Sequence, residues 1–108
     1  MESFVTLIRQ ETYEEFVNSY PGTFKLLLFT EKKSTPPLFR ALSKDFNDKL
    51  KFGEIRNSET SLVEKFSVQK FPTIMALTDE GGVFYDGVMK KDQLMKFMRT
   101  YANMEQPK

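Results

Sequence analysis

Few residues of this chain can do chemistry, and the two most versatile types are missing. Its 108 residues include no cysteine and no histidine. Without a thiol there is no thiolate nucleophile, no disulfide and no cysteine-based metal site. Without an imidazole, the commonest general base and metal ligand is gone, and no Ser-His-Asp set can form. Carboxylates and amines remain. Glu14-Glu15 and Asp79-Glu80 are paired acids, but both fall on expected surface positions, where solvated carboxylates make a poor acid–base couple. Glu54 is different. It lies in the alternating segment Leu50 to Arg56, on the same side as Leu50 and Phe52. The expected role of such an acid is to pair with a lysine or arginine, or to emerge at the strand end, rather than to catalyse. Glu31-Lys32-Lys33 reads as a solvated loop. Gly81-Gly82 lacks the following helix that a phosphate-binding loop needs. No metal, cofactor or catalytic residue is expected.

The elements that would hold these residues alternate along the chain. Phe4 to Ile8 reads as a first strand. Thr12 then opens a short helix, and Glu15 completes a capping box. Tyr13, Phe16, Val17 and Tyr20 follow helical spacing, and Pro21-Gly22 stops the helix. Leu26 to Phe29 is continuously apolar, as expected of a strand covered on both faces of a parallel sheet. The polar loop from Thr30 to Thr35 leads to Pro36-Pro37, which suits a helix start. Leu38, Leu42 and Phe46 line one face of that helix, beside Phe39. Leu50 to Arg56 is the third strand, and Leu62, Val63 and Phe66 mark a short third helix. Thr73 to Thr78 and Val83 to Tyr85 are strands joined by a hairpin at Asp79-Glu80-Gly81-Gly82. Leu94, Phe97, Met98 and Tyr101 share one face of the last helix. Strands alternating with helices predict parallel pairing with right-handed crossovers, closed by an antiparallel hairpin.

In this order the chain resembles the thioredoxin family over nearly its whole length. Lys70-Phe71-Pro72-Thr73, between a helix and a strand, resembles the family's cis-proline turn. Pro37 to Leu42 resembles its second helix, Phe46 and Lys49-Leu50 the step into the third strand, and Gly87 with Gln93-Leu94 and Phe97 the last helix. The resemblance implies a thioredoxin-like three-layer α/β/α sandwich, β-α-β-α-β-α-β-β-α, on a mixed five-stranded sheet, with a cis Phe71–Pro72 bond. Phe-Thr-Glu-Lys-Lys with Pro-Pro-Leu-Phe, and Lys-Phe-Gly-Glu-Ile-Arg, look most like non-catalytic domains of protein disulfide isomerase relatives and of endoplasmic-reticulum J-domain chaperones.

The chain departs from the redox members at two places. Those members follow the second strand with a Cys-x-x-Cys pair at a helix N-terminus, where the dipole lowers the thiol pKa. Here only Thr30 to Pro36 separate Phe29 from Pro37, shorter by roughly a helical turn or more. The family carboxylate inside the second strand is matched by Leu28. Thiols, platform and carboxylate are absent together, so no thiol–disulfide oxidoreductase activity is expected.

What the resemblance implies instead is a redox-inactive module of a larger folding factor in the endoplasmic reticulum lumen. It would bind a protein or extended peptide client, or neighbouring domains of its own chain. The implied peptide site is Phe71, Pro72, Gly87, Val88 and Met89. The groove around Phe71 is as readily filled by the domain itself, which makes a purely architectural spacer the alternative. A glutathione-type ligand-binding domain is a further one, but its activating hydroxyl has only Thr6 as a candidate.

Composition bounds these readings. Residues 1–108 read as one domain excised from a longer chain, large enough for its own core. Sixteen basic against fifteen acidic residues give a net charge of +1, without the basic excess of a nucleic-acid binder. The apolar run Leu26–Phe29 is far too short to insert in a membrane, and Met1-Glu2-Ser3 lacks a signal-peptide pattern. Met95 and Met98 read as core filling, while Met89 follows Gly87-Val88 beside the implied groove.

Overall fold

A computed structural model of the chain describes residues 5–19, 23–46, 49–78, 81–85, 87 and 90–102. The expectations for Phe4, Tyr20, Pro21-Gly22, Asp79-Glu80 and Val88-Met89 lie outside these residues. The elements run β1 (Val5–Ile8), α1 (Tyr13–Ser19), β2 (Lys25–Thr30), α2 (Pro37–Asp45), β3 (Lys51–Arg56), α3 (Thr60–Lys65), β4 (Thr73–Thr78), β5 (Gly81–Phe84) and α4 (Lys91–Ala102).

The strands form one five-stranded sheet in the order β1-β3-β2-β4-β5. β3 is parallel to both β1 and β2, β4 runs antiparallel to β2, and β5 is antiparallel to β4. Central placement explains β2: all six of its positions are buried, because helices cover both faces. On one face Leu26, Leu28, Phe52, Ile74 and Ala76 pack with Phe39, Leu42 and Phe46 of the α2 segment and Leu94 and Met98 of α4. On the other, Ile8, Leu27, Phe29, Ile55 and Met75 pack with Tyr13 and Phe16 of α1 and Leu62 of α3. The result is the three-layer sandwich.

Local chemistry sets the element ends. Pro37 occupies the first helical position of α2, where its missing N–H costs nothing, and Arg40 donates to the Pro36 carbonyl (3.1 Å). The first helix departs from expectation. The Thr12 hydroxyl accepts the Arg9 N–H (3.0 Å) and donates to the Arg9 carbonyl (3.3 Å), closing a turn ahead of α1 where the sequence predicts a capping box with Glu15. Gly53 sits in β3, between β1 and β2, where an added Cβ would collide with Ile8 and approach Leu27 Cδ2 at 3.1 Å.

Candidate functional site

The short third helix delivers the chain to the expected site. α3 ends at Phe66, and Ser67 follows with φ 56°, in the left-handed region. Ser67 donates to the Glu64 carbonyl (3.1 Å) and Val68 to the Val63 carbonyl (3.0 Å). That bond pair is the Schellman motif, here built on serine where glycine is usual. It turns the chain into residues 69–72. Thr73 then donates its hydroxyl to the Lys70 carbonyl (2.7 Å), bracing the Phe71–Pro72 corner, whose peptide bond is cis.

A cleft of about 780 Å³ opens beside this corner. Its lining includes Val68, Lys70, Phe71 and Pro72 on one side and Phe84, Tyr85 and Gly87 on the other. Phe71, Pro72 and Gly87, taken from the sequence as site residues, therefore come together. Pro72 and Gly87 are exposed, whereas Phe71 is half-buried and packs on the α1/α3-side core. Its ring thus serves the core and the cleft at once. Val88 and Met89 lie outside the described residues.

Gly87 has a visible cause. A Cβ there would stand 2.5 Å from the Tyr85 hydroxyl oxygen, so only glycine lets the loop pass so close to that ring. Tyr85 is held from both ends. Its N–H donates to the Ile74 carbonyl (2.7 Å), and its ring packs on Phe97 at 5.1 Å between centroids. Burial raises the phenol above its ordinary value. Phe84, Tyr85 and Val68 were not singled out as site residues from the sequence. Nothing in the alternation of Val83-Phe84-Tyr85 says which ring a helix will cover.

No residue of the connection from Thr30 to Pro36, or of α2, lines this cleft. That connection is tied elsewhere. The Thr30 hydroxyl accepts the Lys32 N–H (3.1 Å), while Glu31, Lys32 and Lys33 are exposed. The Thr35 hydroxyl donates to Glu54 Oε1 (2.6 Å), and Arg56 Nε pairs with Glu54 Oε2 (3.1 Å). Arg40 Nη2 donates to the Thr35 carbonyl (3.2 Å). Glu54 is thus a buried acid with an arginine partner, the first of the two alternatives its position on an apolar face left open. It stands opposite Leu28 in the β2–β3 register. Among the described residues no cluster of three or more acids could hold a metal ion, and no helix is long and apolar enough to cross a membrane.

Comparison with known proteins agrees with this geometry. The chain is 41% identical over 98 residues to a candidate protein disulfide-isomerase of Dictyostelium discoideum, covering 88% of this chain but 24% of that protein's length. Solved structures with the same fold include thioredoxin NaTrxh of Nicotiana alata, at TM-score 0.78 and 24% identity over 94% of this chain and 95% of that one. The J-Trx1 fragment of ERdj5 superposes at TM-score 0.78 and 18% identity, over 93% of this chain and 52% of the fragment. Zinc-bound human ERp44 does so at 0.74 and 15%, over 92% of this chain and 31% of ERp44. The thioredoxin family itself matches residues 5–100. With that match, the five-stranded mixed sheet and the Phe71–Pro72 corner, the chain belongs to the thioredoxin family, as a domain without the cysteine pair.

Proposed function

We propose that this chain is a redox-inactive thioredoxin-like domain that holds an extended protein segment beside the Phe71–Pro72 corner. One observation carries the reading: a cleft of about 780 Å³ remains open at that corner in a chain with no thiol. Thiol–disulfide exchange needs an attacking thiolate, and none is encoded in these 108 residues. Binding is the function left to the corner. An extended backbone would pair beside Phe71, with Pro72, Gly87, Val88 and Met89 supplying the rest of the surface. Relatedness to a protein disulfide-isomerase supports a place in a larger folding factor, in the endoplasmic reticulum lumen, with chaperone-type clients.

A second reading has its own support. Phe71 is half-buried against the core, which suits a spacer whose groove the domain fills itself. An NMR titration with an unfolded client separates the two. Under the binding reading, amide shifts centre on Phe71, Thr73 and Gly87, with a dissociation constant on the order of micromolar to millimolar for so shallow a site. Phe71→Ala, still folded, abolishes them. Silence at millimolar client would favour the spacer, and shifts along α1 or α4 would refute the site. An insulin-reduction assay should stay at the buffer blank in either case.

A further inference from the structure

β5 is the last strand of the sheet, and among the described residues no strand pairs with its outer edge. Its four residues, Gly-Gly-Val-Phe, are all exposed and contain neither charge nor proline, the devices that usually blunt an edge. The β4–β5 register fixes which backbone groups face outward. Tyr85 donates to Ile74, so Tyr85/Ile74 is a hydrogen-bonded pair. In antiparallel strands such pairs alternate with non-bonded ones. Phe84, opposite Met75, and Gly82, opposite Leu77, are therefore non-bonded pairs. Their N–H and C=O groups point away from β4. Two residues spaced by two present two donors and two acceptors, which is the edge an added strand requires.

The side chains agree with the backbone. Phe84 shares the sheet face of Met75 and is 43% exposed. It lines the same cleft as Lys70, the one charged residue among the described lining residues, which include no carboxylate. We infer that the β5 edge, through the outward backbone of Gly82 and Phe84, is a strand-addition site for an extended apolar segment bearing a carboxylate that meets Lys70. The site lies next to the Phe71–Pro72 corner, and it stands whether or not that corner binds.

The test uses the 108-residue chain and a synthetic ten-residue peptide of alternating valine and threonine, with one phenylalanine and a terminal aspartate. Two control peptides carry N-methyl groups at alternate residues, or lysine in place of the aspartate. The expected result is hydrogen-exchange slowing at the Gly82 and Phe84 amides on binding, and loss of binding on N-methylation. The lysine peptide should bind more weakly than the aspartate peptide, and K70E should reverse that order. F84K should weaken the peptide by roughly tenfold or more, as removal of one largely buried aromatic contact implies. Phe71→Ala should leave the slowing at Gly82 and Phe84 in place. Should F84K lose its fold, the N-methyl series still decides. The inference is overturned if a bound peptide leaves the Gly82 and Phe84 amides unchanged, or if N-methylation has no effect. Concentration-dependent β5 protection without peptide would mean that a second copy takes the edge, and would overturn it also.

Discussion

Glu54 ties the Thr30–Pro36 connection to β3, and the cost of disturbing that tie depends on which partner is removed. The carboxylate side chain is 1% exposed and the Arg56 side chain 32%. Removing Arg56 leaves a buried charge with the Thr35 hydroxyl as its remaining side-chain donor. Truncating one partner of a fully buried pair costs about 3–5 kcal/mol. Arg56 reaches solvent, so water replaces it in part, and Arg56→Ala should cost about 2 kcal/mol. Thr35→Val deletes the 2.6 Å bond to the same carboxylate, worth about 1.5–3 kcal/mol for a bond to a charged group. Glu54→Leu behaves differently. It removes the buried charge together with its desolvation, and leaves Arg56 free to turn to water. Apolar replacement of a buried ionic group is often neutral, and the expected cost is below about 1 kcal/mol.

The order is therefore Thr35→Val and Arg56→Ala worse than Glu54→Leu, although Glu54 is the most buried of the three. Urea unfolding reads it, since a slope of about 1–3 kcal/mol per molar turns 2 kcal/mol into roughly a 1 M shift in midpoint. In the Glu54→Leu background, Thr35→Val and Arg56→Ala should each fall to within about 0.5 kcal/mol of neutral, the limit for uncoupled sites. If Arg56→Ala costs the same in both backgrounds, the pair is not coupled and the reasoning fails.

Three further outcomes are expected. Burial first, and Glu14 second, raise the Tyr13 phenol above its ordinary value of 10.0; the neutral form is favoured on folding, so this stabilisation is complete below pH 10 and lost as pH rises through the folded value. Thermal melts between pH 8 and 12 should show that loss, and Tyr13→Phe should flatten it. Gly53→Ala drives a methyl into Ile8 and should cost about 1–3 kcal/mol by overpacking, with Ile8→Val restoring part of it in urea unfolding. Ser67→Gly relieves a left-handed residue at the α3 terminus and should stabilise by about 1 kcal/mol, read as a higher melting temperature; a loss would mean the serine hydroxyl holds the turn.

Much of the frame was legible because each signal was local. The unbroken Leu26–Phe29 run marks the central strand, Pro36-Pro37 the start of α2, and Leu94 with Met98 the buried stripe of α4. Gly87 was legible as a position, although its reason, the Tyr85 ring, was not. The features that stayed hidden depend on register or on coverage. Thr35 and Glu54 are 19 residues apart, and only the β2–β3 pairing brings the loop over the acid. The exposure of Phe84 depends on where the sheet ends, which its own alternation does not encode. The α3 terminus was hidden because serine stands where glycine would have announced it. Thr12 misled for a related reason: a threonine followed three residues later by glutamate fits a capping box, yet its hydroxyl closes the preceding turn.

The two sides of the Phe71–Pro72 corner differ in chemistry. In redox thioredoxins the second helix carries the reactive group, and a buried carboxylate stands behind it in the second strand. In this chain the buried acid of the sheet is Glu54 in β3, opposite Leu28 of β2 in register. There both its oxygens are engaged, one by Thr35 and one by Arg56. An acid so engaged ties a short loop down; it is not set to exchange protons with a substrate. The end of the connection before α2 is thereby held to β3 by polar ties. The apolar surface lies on the other side of the corner, where Phe71 and Phe84 line one cleft and the β5 backbone turns outward. A partner that needs no thiol chemistry should therefore approach from the β4–β5 side. The same geometry makes a separable expectation: loosening the Glu54 tie should lower stability while leaving peptide shifts at Gly82 and Phe84 intact. Loss of both together would mean that the polar tie and the apolar edge form one cooperative surface.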